Sequence, residues 1–110
     1  MRRLLQVVAL LTIFLLPALC GAAQPVLSSI ELESGDTFVF CGDSITHQCL
    51  YTQYVEDFFY TRYPERQIRF HNAGIGGDKA FDALQRFDRD IAAYKPKYVT
   101  ILLGMNDGSY

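Results

Sequence analysis

After residue 36 the apolar positions of this chain alternate between two periods. Thr37-Phe38-Val39-Phe40-Cys41 is a short continuous apolar run of β-forming residues. Such a run suits a strand covered on both faces, as in a parallel sheet. Residues 47–63 then read as a helix. Tyr51, Tyr54, Val55, Phe58 and Phe59 fall at i, i+3, i+4, i+7 and i+8, with Gln53, Glu56 and Asp57 off that face, and Pro64 ends the run. A second strand is predicted over 67–72, whose alternating polarity places it nearer an edge. Asp78 is positioned as the N-cap of a second helix in which Ala80, Leu84, Phe87 and Ile91 share a face, and which stops before Pro96. The third strand, 98–103, is the most apolar and is expected to be the most central.

The order strand, helix, strand, helix, strand implies right-handed crossovers and a parallel sheet with helices on both faces. Ligands of such sheets bind beyond the carboxyl ends of the strands. Ahead of the first strand, residues 24–36 form a mixed segment with Pro25 and a Ser34-Gly35-Asp36 turn signal.

The first 23 residues have a different pattern. Met1-Arg2-Arg3 is a basic start, Leu4 to Leu19 is almost wholly apolar, and Cys20-Gly21-Ala22-Ala23 supplies small residues. That is the layout of a secretory signal peptide over 1–23, with cleavage expected after Ala23. The apolar run is shorter than the roughly 20 residues of a spanning helix, so a retained anchor is the alternative reading. A lipidated Cys20 is another, although Leu16-Pro17-Ala18-Leu19 puts a bulky residue where a small one is usual. The expected location is secreted or periplasmic.

Loss of that segment takes Lys plus Arg from 10 to 8 against 12 acids, a net charge of −4. An acidic domain without a basic run argues against nucleic acid, whose affinity depends on phosphate neutralisation. Of the two cysteines left, Cys41 ends the first strand and reads as a small buried hydrophobe, while export would permit it to pair with Cys49. No Cys/His spacing matches a zinc site.

Chemistry concentrates in three turns, one after each strand. Gly42-Asp43-Ser44 lets the backbone bend off the first strand and opens the next helix with a serine, which could equally be a plain helix cap. Asn72-Ala73-Gly74-Ile75-Gly76-Gly77-Asp78 leaves backbone N–H groups uncovered; it is not the G-x-G-x-x-G of a dinucleotide loop, and a simple tight turn is the alternative. Gly104-Met105-Asn106-Asp107-Gly108 carries an amide donor and an acceptor, or forms an Asx turn. Together they set a hydroxyl, a glycine N–H and an amide at one sheet edge, the parts of a nucleophile with an oxyanion hole.

These three blocks resemble the SGNH (GDSL-type) hydrolase superfamily over essentially all of residues 24–110. The resemblance implies a flavodoxin-like three-layer αβα sandwich and the activity of an esterase or lipase acting on small-molecule or carbohydrate esters, without metal or organic cofactor. It implies Ser44 as the nucleophile and the N–H groups of Ser44 and Gly77 with the amide of Asn106 as the oxyanion donors. The family's fourth block, Asp-x-x-His, supplies the base and its orienting acid, and no such block occurs in these 110 residues. The expectation is therefore that residues 24–110 are the N-terminal part of a longer esterase domain. His47 is expected to steady a turn or face substrate, and His71 to be structural. A non-catalytic carbohydrate- or acyl-binding module is the principal rival reading, and a nucleotide- or flavin-binding domain the second.

Overall fold

The computed structural model describes residues 30–108. The signal-peptide segment, its cleavage site and Cys20 lie outside them. Strand β1 spans Thr37–Gly42, α1 Ser44–His47, α2 Leu50–Arg62, β2 Arg69–Gly74, α3 Ala80–Asp90 and β3 Tyr98–Leu102, with a single 3-10 turn at Ala92–Tyr94 before β3. This is the predicted alternation. The Ser34-Gly35 turn is also present, with Gly35 at φ 93°.

All three strands are parallel, in the order β2-β1-β3. The expectation that the third strand is the most central is therefore wrong for the described sheet. β1 is central and its six residues are all buried, whereas Ile101 and Leu102 of β3 are 65% and 43% exposed. Apolarity reports how many faces of a strand are covered, not its lateral place. The crossovers decide that. A chain that leaves β1 for β2 on one side and returns past β1 to β3 on the other must, with right-handed connections, put α2 and α3 on opposite faces.

Alternate residues of β1 face those two helices. Phe38 and Phe40 pack with Leu32, Ile68 and Phe59, flanked by Tyr51, Val55, Tyr63, Phe70 and Tyr98. Val39 and Cys41 pack with Ala73, Ala83 and Ile91, flanked by Val99 and Leu103. Three layers result: α2, sheet, α3. Cys41 is the buried hydrophobe expected, its thiol pushed up by desolvation, and both it and Cys49 are free thiols.

Three helical expectations need correction. The helix predicted over 47–63 begins at Leu50, with the separate short α1 ahead of it, because Cys49 takes a left-handed conformation at φ 63°, rare for a residue with a side chain. The bend lets α1 lie on the sheet end while α2 runs down one face. Second, the buried face of α2 is Thr52 and Phe59 with Tyr51 and Val55, while Tyr54 and Phe58 of the expected stripe are 78% and 56% exposed. Third, the N-cap of α3 is Lys79 rather than Asp78, and its buried side chains are Ala83 and Arg86. Of the expected stripe, Ile91 is buried, but Leu84 is 67% exposed. Ala80, Leu84 and Phe87 instead line an apolar groove of about 260 Å³ with Cys41, Ile101 and Leu103. Among the described residues no helix is long and apolar enough to cross a membrane.

Candidate active site

The carboxyl ends of the strands bring the three turns together. At the first, Asp43 is 1% exposed and caps α1, its Oδ1 accepting from Ile45 N at 3.0 Å. Ser44 is thus not the cap that the alternative reading allowed; it is the first helical residue, half-buried, in a position whose N–H has no intrahelical acceptor.

The glycines here serve close approach. A Cβ on Gly42 would overlap Thr46 Oγ1, and one on Gly74 would overlap the His47 backbone N, so α1 sits directly on the ends of β1 and β2. Thr46, fully buried, shares a hydrogen bond with Tyr51 Oη at 2.9 Å. Asn72 fastens the same seam: its Nδ2 donates to Thr46 O at 2.7 Å and its Oδ1 accepts from Gly74 N at 2.9 Å.

The second turn curls over this seam. An added Cβ on Gly76 would stand 3.9 Å from Ser44 Cβ, which sets the glycine run against the serine. Gly77 follows at φ 85° with open space around it, a conformation that favours glycine. In the third turn the half-buried Asn106 donates through Nδ2 to Asp78 O at 2.9 Å. Asp107 accepts from the first residue of α3, both carboxylate oxygens lying 3.1 Å from Ala80 N. Asp78 is ion-paired to Arg86, Nε to Oδ2 at 2.7 Å. A small apolar recess of about 150 Å³, lined by Asp43, Ile45, Leu102, Leu103 and Met105, opens beside the first and third turns.

The two histidines are placed differently. His47 Nδ1 stands 3.1 Å from Gly74 O; a carbonyl only accepts, so this nitrogen carries the proton. The bond steadies the turn, and it directs Nδ1 at a carbonyl instead of the carboxylate that orients the base of a serine triad. His71 lies within β2, stacked on Tyr94 at 3.8 Å between ring centroids. Among the described residues no three His, Cys, Asp or Glu side chains converge as a metal site would require.

Sequence reasoning missed Asn72 and Arg86. Asn72 opens the second turn block in the sequence but has no role assigned there, and nothing in the pattern of α3 singles out Arg86. Its burial depends on Asp78, eight residues away in sequence.

The family model of the GDSL-like lipase/acylhydrolase family matches residues 40–110. An acetylxylan esterase of Geobacillus stearothermophilus is 34% identical over 94 residues, covering 71% of this chain and 42% of that protein. The lipoprotein YqeF of Bacillus subtilis is 50% identical over 38 residues, 34% of this chain and 16% of it. Among solved structures, a gut microbial diltiazem-metabolizing enzyme (BT4096) superposes with a TM-score of 0.69 at 39% identity, over 74% of this chain and 19% of that one. The G. stearothermophilus acetylxylan esterase Axe2 superposes with a TM-score of 0.64 at 34% identity, over 71% and 42%. This chain thus spans less than half the length of these relatives. A parallel α/β sheet with Ser44, Gly77 and Asn106 at its carboxyl edge, and a family match that runs through all three turns, make the chain a member of the GDSL-like lipase/acylhydrolase family.

Proposed function

We propose that the protein is a serine ester hydrolase, with Ser44 as nucleophile and Gly77 and Asn106 in its oxyanion hole. The observation that carries this reading is the approach of the glycine run to Ser44, 3.9 Å from Cβ to a Cβ placed on Gly76, with Asn106 bonded to the residue after Gly77. Ser44 Oγ attacks the ester carbonyl and passes its proton to a base. The N–H groups of Ser44 and Gly77 and the free N–H of the Asn106 amide stabilise the oxyanion. Collapse expels the alcohol, protonated by the same base, and water releases the acid by the reverse sequence.

The base is a histidine oriented by an aspartate, contributed by residues outside the 30–108 described here, so that residues 24–110 are the N-terminal part of the catalytic domain. The coverage of the relatives, 42% of the acetylxylan esterase, supports this. The substrate class is a short acyl group on a carbohydrate. That relative's activity supports it. Export is the location proposed, on the pattern of residues 1–23 and the likeness to a lipoprotein.

A fluorophosphonate probe tests the reading on the full-length gene product. Labelling should occur and should vanish in Ser44→Ala. Labelling that persists in that variant overturns Ser44 as the nucleophile, and an unlabelled wild type that still binds acetylated xylooligosaccharide would favour the binding module.

A further inference from the structure

Arg86 is a basic side chain that the fold buries, 7% exposed on α3. Burying a guanidinium is costly, and a buried ion pair can often be exchanged for apolar residues without loss of stability. Stability alone therefore does not account for a charge at this position. Its contacts do. Nε donates to Asp78 Oδ2 at 2.7 Å, Nη2 to Gly42 O at 3.4 Å, and Nη1 stands 3.5 Å from Asp90 Oδ2 without a well-formed hydrogen bond.

Two of these partners, Gly42 and Asp78, lie at the roots of the first and second turns. Gly42 precedes Ser44 by two residues, and Asp78 directly follows Gly77. The main-chain carbonyl of Asp78 accepts one N–H of the Asn106 amide at 2.9 Å, which leaves the second N–H of that amide for a ligand. One guanidinium thus spans from the turn of Ser44 to the residue that holds both other donors.

We infer that Arg86, through Asp78, is a positioning residue of the oxyanion hole, setting the separation of the Ser44 N–H from the Gly77 and Asn106 donors. The inference rests on the ester-hydrolase reading. Oxyanion donors act at about 2.7–3.1 Å from the charge that develops, so a shift of Asp78 would move two of three donors out of range together. Lysine keeps the charge but loses the fork that reaches Asp78 and Gly42 at once.

The test uses the full-length gene product, p-nitrophenyl acetate as substrate and an alkyl boronic acid as tetrahedral inhibitor. Arg86→Lys and Asp78→Asn should each lower kcat by roughly tenfold to a hundredfold, the scale of a misplacement of about 1 Å, with KM nearly unchanged. The boronic acid inhibition constant should rise in step with the loss of kcat. The double variant should lose little more than the worse single one, because both act through one contact. Asp78→Asn removes the carboxylate charge that draws Arg86 Nε while leaving the guanidinium in place, so it gives a reading where Arg86→Lys fails to fold. An undiminished kcat in Asp78→Asn overturns the inference, as does a lowered kcat with boronic acid affinity unmoved. A wild type that the fluorophosphonate does not label removes the hydrolase reading, and this inference with it.

Discussion

The two faces of the sheet are built from different materials. Against α2 the sheet presents rings: Phe40 stacks on Phe70 at 6.1 Å and meets Tyr51 edge-on at 5.9 Å, and Phe59 lies 5.8 Å from Phe70. Against α3 it presents Val39, Cys41 and Ala73, over Ala83 and Ile91, with a guanidinium in the same layer. The aromatic face buries Phe38, Phe40 and Phe59, with Val55 and Tyr63 packed against them. The aliphatic face opens into the groove between Leu84 and Ile101. Large rings give burial and mutual contact that hold a small sheet together. The thin aliphatic layer leaves room for Arg86 and Asp78 under the turns. One face stabilises, and the other shapes the site.

Mutations can break that contrast. Phe40→Ala should be the most damaging, about 3–5 kcal/mol of stability by urea denaturation, the range for deleting a buried ring. Gly74→Ala comes next, at about 1–3 kcal/mol for forced overpacking, since its Cβ would overlap the backbone of α1. Ile91→Val on the aliphatic face should cost only about 0.5–1.5 kcal/mol. A loss at Ile91 equal to that at Phe40 would erase the distinction between the faces.

The open side makes its own prediction. β3 is an outer strand of the described sheet with Ile101 and Leu102 exposed, an apolar edge that calls for cover. On the reading that further chain completes the domain, Ile101→Lys in the full-length gene product should lower Tm, whereas Tyr54→Lys on the exposed side of α2 should leave it unchanged.

The smallest effect belongs to a partly exposed pair just ahead of β1 and β3. Lys97 Nζ lies 2.8 Å from Asp36 Oδ2, and this hydrogen bond holds the Asp36 carboxyl below the usual carboxylate range and the Lys97 ammonium above its own. The Asp36 contribution is present above the ordinary carboxylate pKa and lost as pH falls through the lowered value. The Lys97 contribution is present below the ordinary ammonium pKa and lost as pH rises through the raised one. Asp36→Asn should therefore lower Tm slightly at neutral pH and not at all in strong acid, and added salt should shrink the difference.

Much of this was legible in one dimension. The run 37–41 is apolar at every position, so a doubly covered strand was the consistent reading, and the three polar turns stood out because each interrupts such a run. Their chemistry was legible too, since Ser44, the glycine run and Asn106 are defined by residue type. The inward face of α2 was not. Its aromatic residues nearly encircle the helix, so spacing alone could not choose Phe59 over Phe58. Nor could Cys49 announce a left-handed turn, a conformation imposed by seating α1 on Gly42 and Gly74.

By itself the sequence determined the order of elements, the covering of the first strand on both faces, and which residues with chemical capability stand at the strand ends. These follow from local period and residue type. The tertiary structure decided what lies beside what: β1 and not β3 at the centre, Gly76 against Ser44, and Arg86 beneath Asp78. The physical reason is that these neighbours are set by crossover handedness and by the pairing of a buried charge, both of which act between segments far apart in the chain.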